Sequence, residues 1–203
     1  MLRSTFLYPP HHHVGHLKAG RADLLRLGAL FRVAATSSRS AVYIPLPPGC
    51  RPTALAGGDT PALPVLLARE DTGLRPSDWP DLRRSMRRSS APLQVTAPAA
   101  RPPDRPDDVH RRTDRRPARF SEHAGTITIT ARAELLFWIG DWLTDLGDRV
   151  VQDPHIHRHG ESFLGDMAGF FDPRRTDQPM HAFCVVAVEP IFHRDRWRKQ
   201  PTK

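Results

Sequence analysis

Hydrophobic and polar positions divide the chain near residue 119. Downstream, Thr126, Ile127, Thr128, Ile129 and Thr130 alternate strictly and are β-branched throughout, which predicts a strand with both isoleucines on one face. Leu135, Trp138, Ile139, Trp142, Leu143, Leu146 and Val150 recur at helical spacing and predict an amphipathic helix over residues 132–152, closed by Pro154. Phe163, Leu164, Met167, Phe170 and Phe171 predict a shorter helix ended by Asp172 and Pro173. The apolar run from Ala182 to Val188, between Pro179 and Pro190, predicts a fully buried strand. The order strand, helix, helix, strand predicts a small α+β domain over residues 120–199, both helices on one face of a sheet, with a tail at 200–203.

Upstream the pattern thins. Leu24, Leu27, Leu30, Phe31 and Ala34 predict a short helix near residues 21–35, preceded by a Pro-led leader carrying His11, His12, His13 and His16. Val42, Tyr43 and Ile44 predict a brief strand, stopped by Pro45, Pro47 and Pro48. Residues 45–117 hold 14 of the 21 prolines, with only short apolar islands such as Val65, Leu66 and Leu67. Such a stretch buries too little apolar surface to offset the entropy of ordering, so residues 1–119 are expected to be mostly irregular or disordered apart from the short helix. No internal repeat is evident.

Charge follows the same division. Residues 1–119 carry 20 Lys and Arg against 10 Asp and Glu, whereas residues 120–203 carry 10 against 12, for a net charge of +8. Of the 30 basic residues 27 are arginine, a skew that points to a GC-rich genome or to a reading frame not shaped by selection for folding. Cys50 and Cys184 are the only cysteines, so no disulfide framework is implied. The run from Ala182 to Val188 is far short of the roughly 20 apolar residues needed to cross a bilayer. The Arg- and Ser-bearing first 40 residues, with Asp23 as their single acid, fit a short amphipathic helix or, in outline, an organellar transit peptide. The expected compartment is the cytoplasm.

Two constellations carry candidate chemistry. If the stretch from Asp153 to Glu161 is extended, His155, His157, His159 and Glu161 share one face, and three imidazoles with a carboxylate suit a divalent metal such as zinc or iron. The bland counterpart is a polar loop with hydrated histidines. The arginines form clusters at Arg83, Arg84, Arg87 and Arg88, then at Arg111, Arg112, Arg115 and Arg116, and in the tail at Arg196 and Arg198 around Trp197. Guanidinium groups suit nucleic-acid phosphates, and a neighbouring Trp suits unpaired bases. Asp104, Asp107, Asp108 and Asp114 interrupt the middle clusters. Asp141, Asp145 and Asp148 share one side of the long helix, either as a cation-binding row or as a solvated face in which Asp145 pairs with Arg149. Cys184, inside an apolar run, reads as a small core side chain rather than a nucleophile.

Residues 155–161 resemble the His-x-His-x3-Glu core of the cupin metal motif, which would make His155, His157 and Glu161 ligands inside a β-barrel. His155-Ile156-His157 is also similar to the His-hydrophobic-His pair of rolling-circle and relaxase nucleases. The chain departs from both, having too few strands for a barrel and no tyrosine downstream of the pair. The functional expectation is non-catalytic binding of an acidic partner such as nucleic acid. The alternatives are a metal-dependent enzyme or metal-binding protein centred on the histidine stretch, and a frame with no selected function.

Overall fold

The computed structural model describes residues 5–11, 13–46, 62–86, 96–99, 117–171 and 182–188. It is α+β, with two mixed four-stranded sheets. Strands β1 (Phe6–His11) and β2 (Val14–Ala19) form a hairpin, followed by helix α1 (Arg21–Thr36) and strands β3 (Ala41–Ile44) and β4 (Val65–Arg69). After helix α2 (Trp79–Met86) the succession repeats: hairpin β5 (Arg119–His123) and β6 (Thr126–Ala131), helix α3 (Ala133–Arg149), the short helix α4 (Pro154–His159), then β7 (Glu161–Asp166) and β8 (Ala182–Val188).

The order in sheet A is β1-β2-β8-β7 and in sheet B β3-β4-β6-β5. Each sheet therefore joins the hairpin of one half to the last two strands of the other. The seams are parallel, β2 with β8 and β4 with β6, and the remaining pairs are antiparallel. Single bridges repeat the relation, Leu7 with Leu63 in one half and Ala118 with Phe171 in the other. A spacing of 112 residues separates matching positions, as between Arg32 and Thr144. It relates Leu24 to Leu136, Leu27 to Ile139, Gly28 to Gly140 and Phe31 to Leu143, all buried in the helices. The chain thus contains an internal repeat, contrary to the sequence reading.

One apolar core serves both halves. Leu17, Ala19, Phe183 and Val185 from sheet A meet Leu67, Phe120, Ile127 and Ile129 from sheet B and the inner faces of α1 and α3. Phe120 and Phe183, from different sheets, have ring centroids 5.8 Å apart. Burying each such side chain contributes about 1.5–3 kcal/mol. The helices cross at Gly28 and Gly140. A Cβ on Gly28 would lie 2.5 Å from the Gly140 carbonyl oxygen, and one on Gly140 would lie 2.7 Å from that of Gly28, so only glycine permits this approach. Arg32 fills the polar side of the crossing. Its guanidinium donates to Thr144 Oγ1 at 2.8 Å, Gly140 O at 3.2 Å, Asp141 Oδ1 at 3.4 Å and Pro98 O at 2.9 Å.

Several expectations change here. Residues 1–119 supply four strands, α1 and α2, so a boundary at 119 does not separate two packing units. The histidine leader is the β1–β2 hairpin, where Pro9 and Pro10 are tolerated because β1 is the outer strand of sheet A and its other side carries only the single bridge from Leu7 to Leu63. Residues 161–166 form a strand, not a helix, followed by a single 3-10 turn at Ala168–Phe170. Strand β8 is buried on one face only, alternating through Phe183, Val185 and Ala187. The strand at 126–131, the helix from 133 and the short helix at 21–36 match their patterns.

Candidate functional site

The histidine stretch is helical, and its local sequence dictates that. Asp153 caps α4 through Oδ1, which accepts from the His155 N–H at 2.8 Å, and Pro154 occupies the first turn. Gly160, at φ 77°, ends the helix, its N–H donating to Ile156 O at 2.8 Å, while Ile156 is fully buried. The face that an extended strand would give to His155, His157, His159 and Glu161 therefore does not form. Helical spacing brings His155 and His159 together, ring centroids 4.3 Å apart, and places position 157 on the other side of the turn. Glu161 opens β7 and accepts from Lys18 Nζ at 3.1 Å. Among the described residues no three His, Cys, Asp or Glu gather as a metal-holding group. The Asp153 carboxyl is held below its usual range by the Ser162 side chain first and the His155 N–H second.

The aspartate row of α3 is taken up by arginines. Asp141 is buried against Arg32, Asp145 meets Arg149 at 3.0 Å as its spacing predicts, and Asp148 meets Arg21 at 3.4 Å. On sheet A, His16, Cys184 and Asp166 are successive neighbours across β2, β8 and β7. Burial, then the Asp166 charge, pushes the Cys184 thiol up, whereas burial, then Lys18, pushes the His16 imidazole down. Both groups are held neutral, the reverse of a thiolate–imidazolium pair.

The basic cluster enters the fold through α2. Trp79 at its start is 2% exposed and packs against Tyr43, the rings tilted with centroids 5.1 Å apart. Arg83 lies over the same Tyr43 ring at 5.9 Å, and Arg84 pairs with Asp81. Trp79, Pro80, Arg83 and Arg84 line an open cleft together with Ala124, in the β5–β6 turn. That turn takes two successive positive φ values, 50° at Ala124 and 66° at Gly125, as a tight two-residue hairpin requires. Arg87, Arg88, Arg111, Arg112, Arg115, Arg116, Arg196, Trp197 and Arg198 lie outside the described residues. Trp79 was not singled out by sequence, and Tyr43 only as part of a brief strand. The signal available was Ser77-Asp78-Trp79-Pro80, a helix start with proline in the first turn.

Among the described residues no helix is long and apolar enough to cross a membrane. No protein-family model, curated protein or solved structure matches the chain.

Proposed function

We propose that this chain binds an acidic polymer, nucleic acid, without catalysing a reaction on it, and that it does so in the cytoplasm. The observation that supports this is the location of its charge. The described residues contain 13 Lys and Arg and 13 Asp and Glu, so the entire excess of +8 belongs to the rest of the chain. Within the described part Lys18, Arg21, Arg26, Arg32, Arg69, Arg84, Arg132 and Arg149 each face a carboxylate. The arginines not so matched are concentrated by sequence at Arg87, Arg88, Arg111, Arg112, Arg115, Arg116, Arg196 and Arg198. Helix α2 leads directly into the first of these through Arg83 and Arg84. Guanidinium groups contact phosphates without reading sequence, and Trp197 offers a stacking surface for an unpaired base.

Affinity for random-sequence DNA should then fall steeply with salt, with a log–log slope of about −0.9 per phosphate neutralised. Absence of binding at low salt removes the proposal. A metal-binding reading has one observation in its favour, the adjacent His155 and His159, which offer two imidazoles to zinc or iron. Metal retained through dialysis by the wild type and lost in His155→Ala would support it, and equal retention by both would discard it.

A further inference from the structure

The two parallel seams fix a second spacing between the halves. Leu67 pairs with Ile129, and Val185 pairs with Leu17, the position equivalent to Ile129 under the 112-residue repeat. Leu67 and Val185 are therefore equivalent, and the spacing from 67 to 185 is 118. Every pair along the two seams obeys it, from Val65 with Phe183 to Arg69 with Ala187. Carried past the ends of β4 and β8, the same spacing takes Trp79 to Trp197. The chain has 4 tryptophans and the other two lie in α3, so this correspondence does not follow from abundance.

Trp79 lies on the outer face of sheet B against Tyr43, which stands opposite the outward Leu66. The equivalent place on sheet A is open. His16, Cys184 and Val186 are half-buried there, and Phe163 on β7 is 60% exposed. The β1 side of that face is already filled by Phe6, Tyr8 and Ala62, so the opening lies over β8 and β7, the counterparts of β4 and β3. Opposite Cys184, in the place that Tyr43 takes on sheet B, stands Asp166. It has no cationic partner among the described residues.

We propose that this face is the docking surface of the chain's own tail, with the Trp197 ring seated over Cys184 beside Phe163 and the flanking Arg196 and Arg198 next to Asp166. An extended chain covers about 3.3 Å per residue, so the segment after Val188 can return over β8 and β7, as the one after Arg69 returns to bring Trp79 against Tyr43. Seating an indole there removes it and the Phe163 ring from water together. The assignment goes beyond the nucleic-acid reading, because it gives the Trp197 ring to the fold. Salt-dependent affinity for DNA rests on the arginines and survives its failure.

The test uses the full chain carrying Cys50→Ser, in which Cys184 is the single thiol. Alkylation of that thiol by iodoacetamide at fixed pH should run at least about tenfold faster after Trp197→Ala, a factor that requires only that the docked form outnumber the undocked one by that ratio. Unchanged Trp138 and Trp142 indole signals verify that the variant keeps its fold. Equal rates with and without the replacement overturn the proposal. In the chain without replacements, the Trp197 indole protons should show nuclear Overhauser contacts to the Phe163 ring, a measurement that stands even where the variant fails to fold. Absence of those contacts overturns the proposal. Protection or contacts that fade on dilution assign the face to the tail of a second copy, which overturns it as well.

Discussion

On sheet B the outer positions Leu66, Thr126 and Thr128 are buried, with Trp79 on the same face against Tyr43, whereas on sheet A the matching outer positions of His16, Lys18, Cys184 and Val186 stay half-buried and Phe163 is 60% exposed. His16 and Thr128 occupy the same place in the two halves, 112 residues apart, and each leaves a polar atom without a partner, Nδ1 in one and Oγ1 in the other. The buried face leaves its threonine hydroxyls without partners. A half-open face instead holds its imidazole neutral. Equivalent strands thus answer to what lies over them as much as to their own pairing.

Removing the cover should have the largest effect. Trp79→Ala is expected to destabilise the chain by about 3–5 kcal/mol, the usual range for losing a buried aromatic ring, read from the urea midpoint. A loss under about 1 kcal/mol would mean that α2 does not hold the outer face. A smaller effect of opposite sign is expected beneath it. Thr128→Val keeps the shape and deletes an unmatched hydroxyl, and should stabilise by roughly 1 kcal/mol. Destabilisation by that replacement would show that Oγ1 has a partner. The smallest effect belongs to sheet A and depends on pH. Because burial, then Lys18, lowers the His16 pKa from its ordinary 6.5, the unfolded chain binds more protons there than the folded one. Its contribution is complete above 6.5 and is lost as pH falls through that value towards the folded pKa. His16→Leu should flatten this part of the stability–pH curve, and an unchanged curve would exclude His16 as its source.

How much of this was legible depended on whether local pattern and tertiary place agreed. Ile127 and Ile129 alternate with threonines because one face meets the core, and α3 carries a clean stripe for the same reason. The repeat was hidden because the matches fall at buried positions, Leu24 with Leu136 or Gly28 with Gly140, while others diverge, as exposed Arg26 does from part-buried Trp138. Strand β7 imitates a helix because its register shifts between Phe163 and Gly165 and a 3-10 turn follows, which spaces the aromatic residues irregularly. Val65, Leu66 and Leu67 looked like an isolated island. They are a central strand, legible only once β3 and β6 stand on either side. At the histidine stretch, Asp153-Pro154 and Gly160 were readable start and stop signals that outweighed the alternation of His155, His157 and His159.

The exchange of strands between halves also sets a timetable for synthesis. Every strand of sheet B lies between Ala41 and Ala131, so that sheet can close while the rest of the chain is still being made. Sheet A cannot, because Leu17 must wait for Val185. At usual translation speeds the β1–β2 hairpin stands with one bare edge for on the order of ten seconds before β8 arrives. A lone hairpin is marginal in water, and an open strand edge invites pairing with other chains. The nascent chain is therefore vulnerable at the β1–β2 hairpin, and any delay in translation after α3 prolongs that exposure.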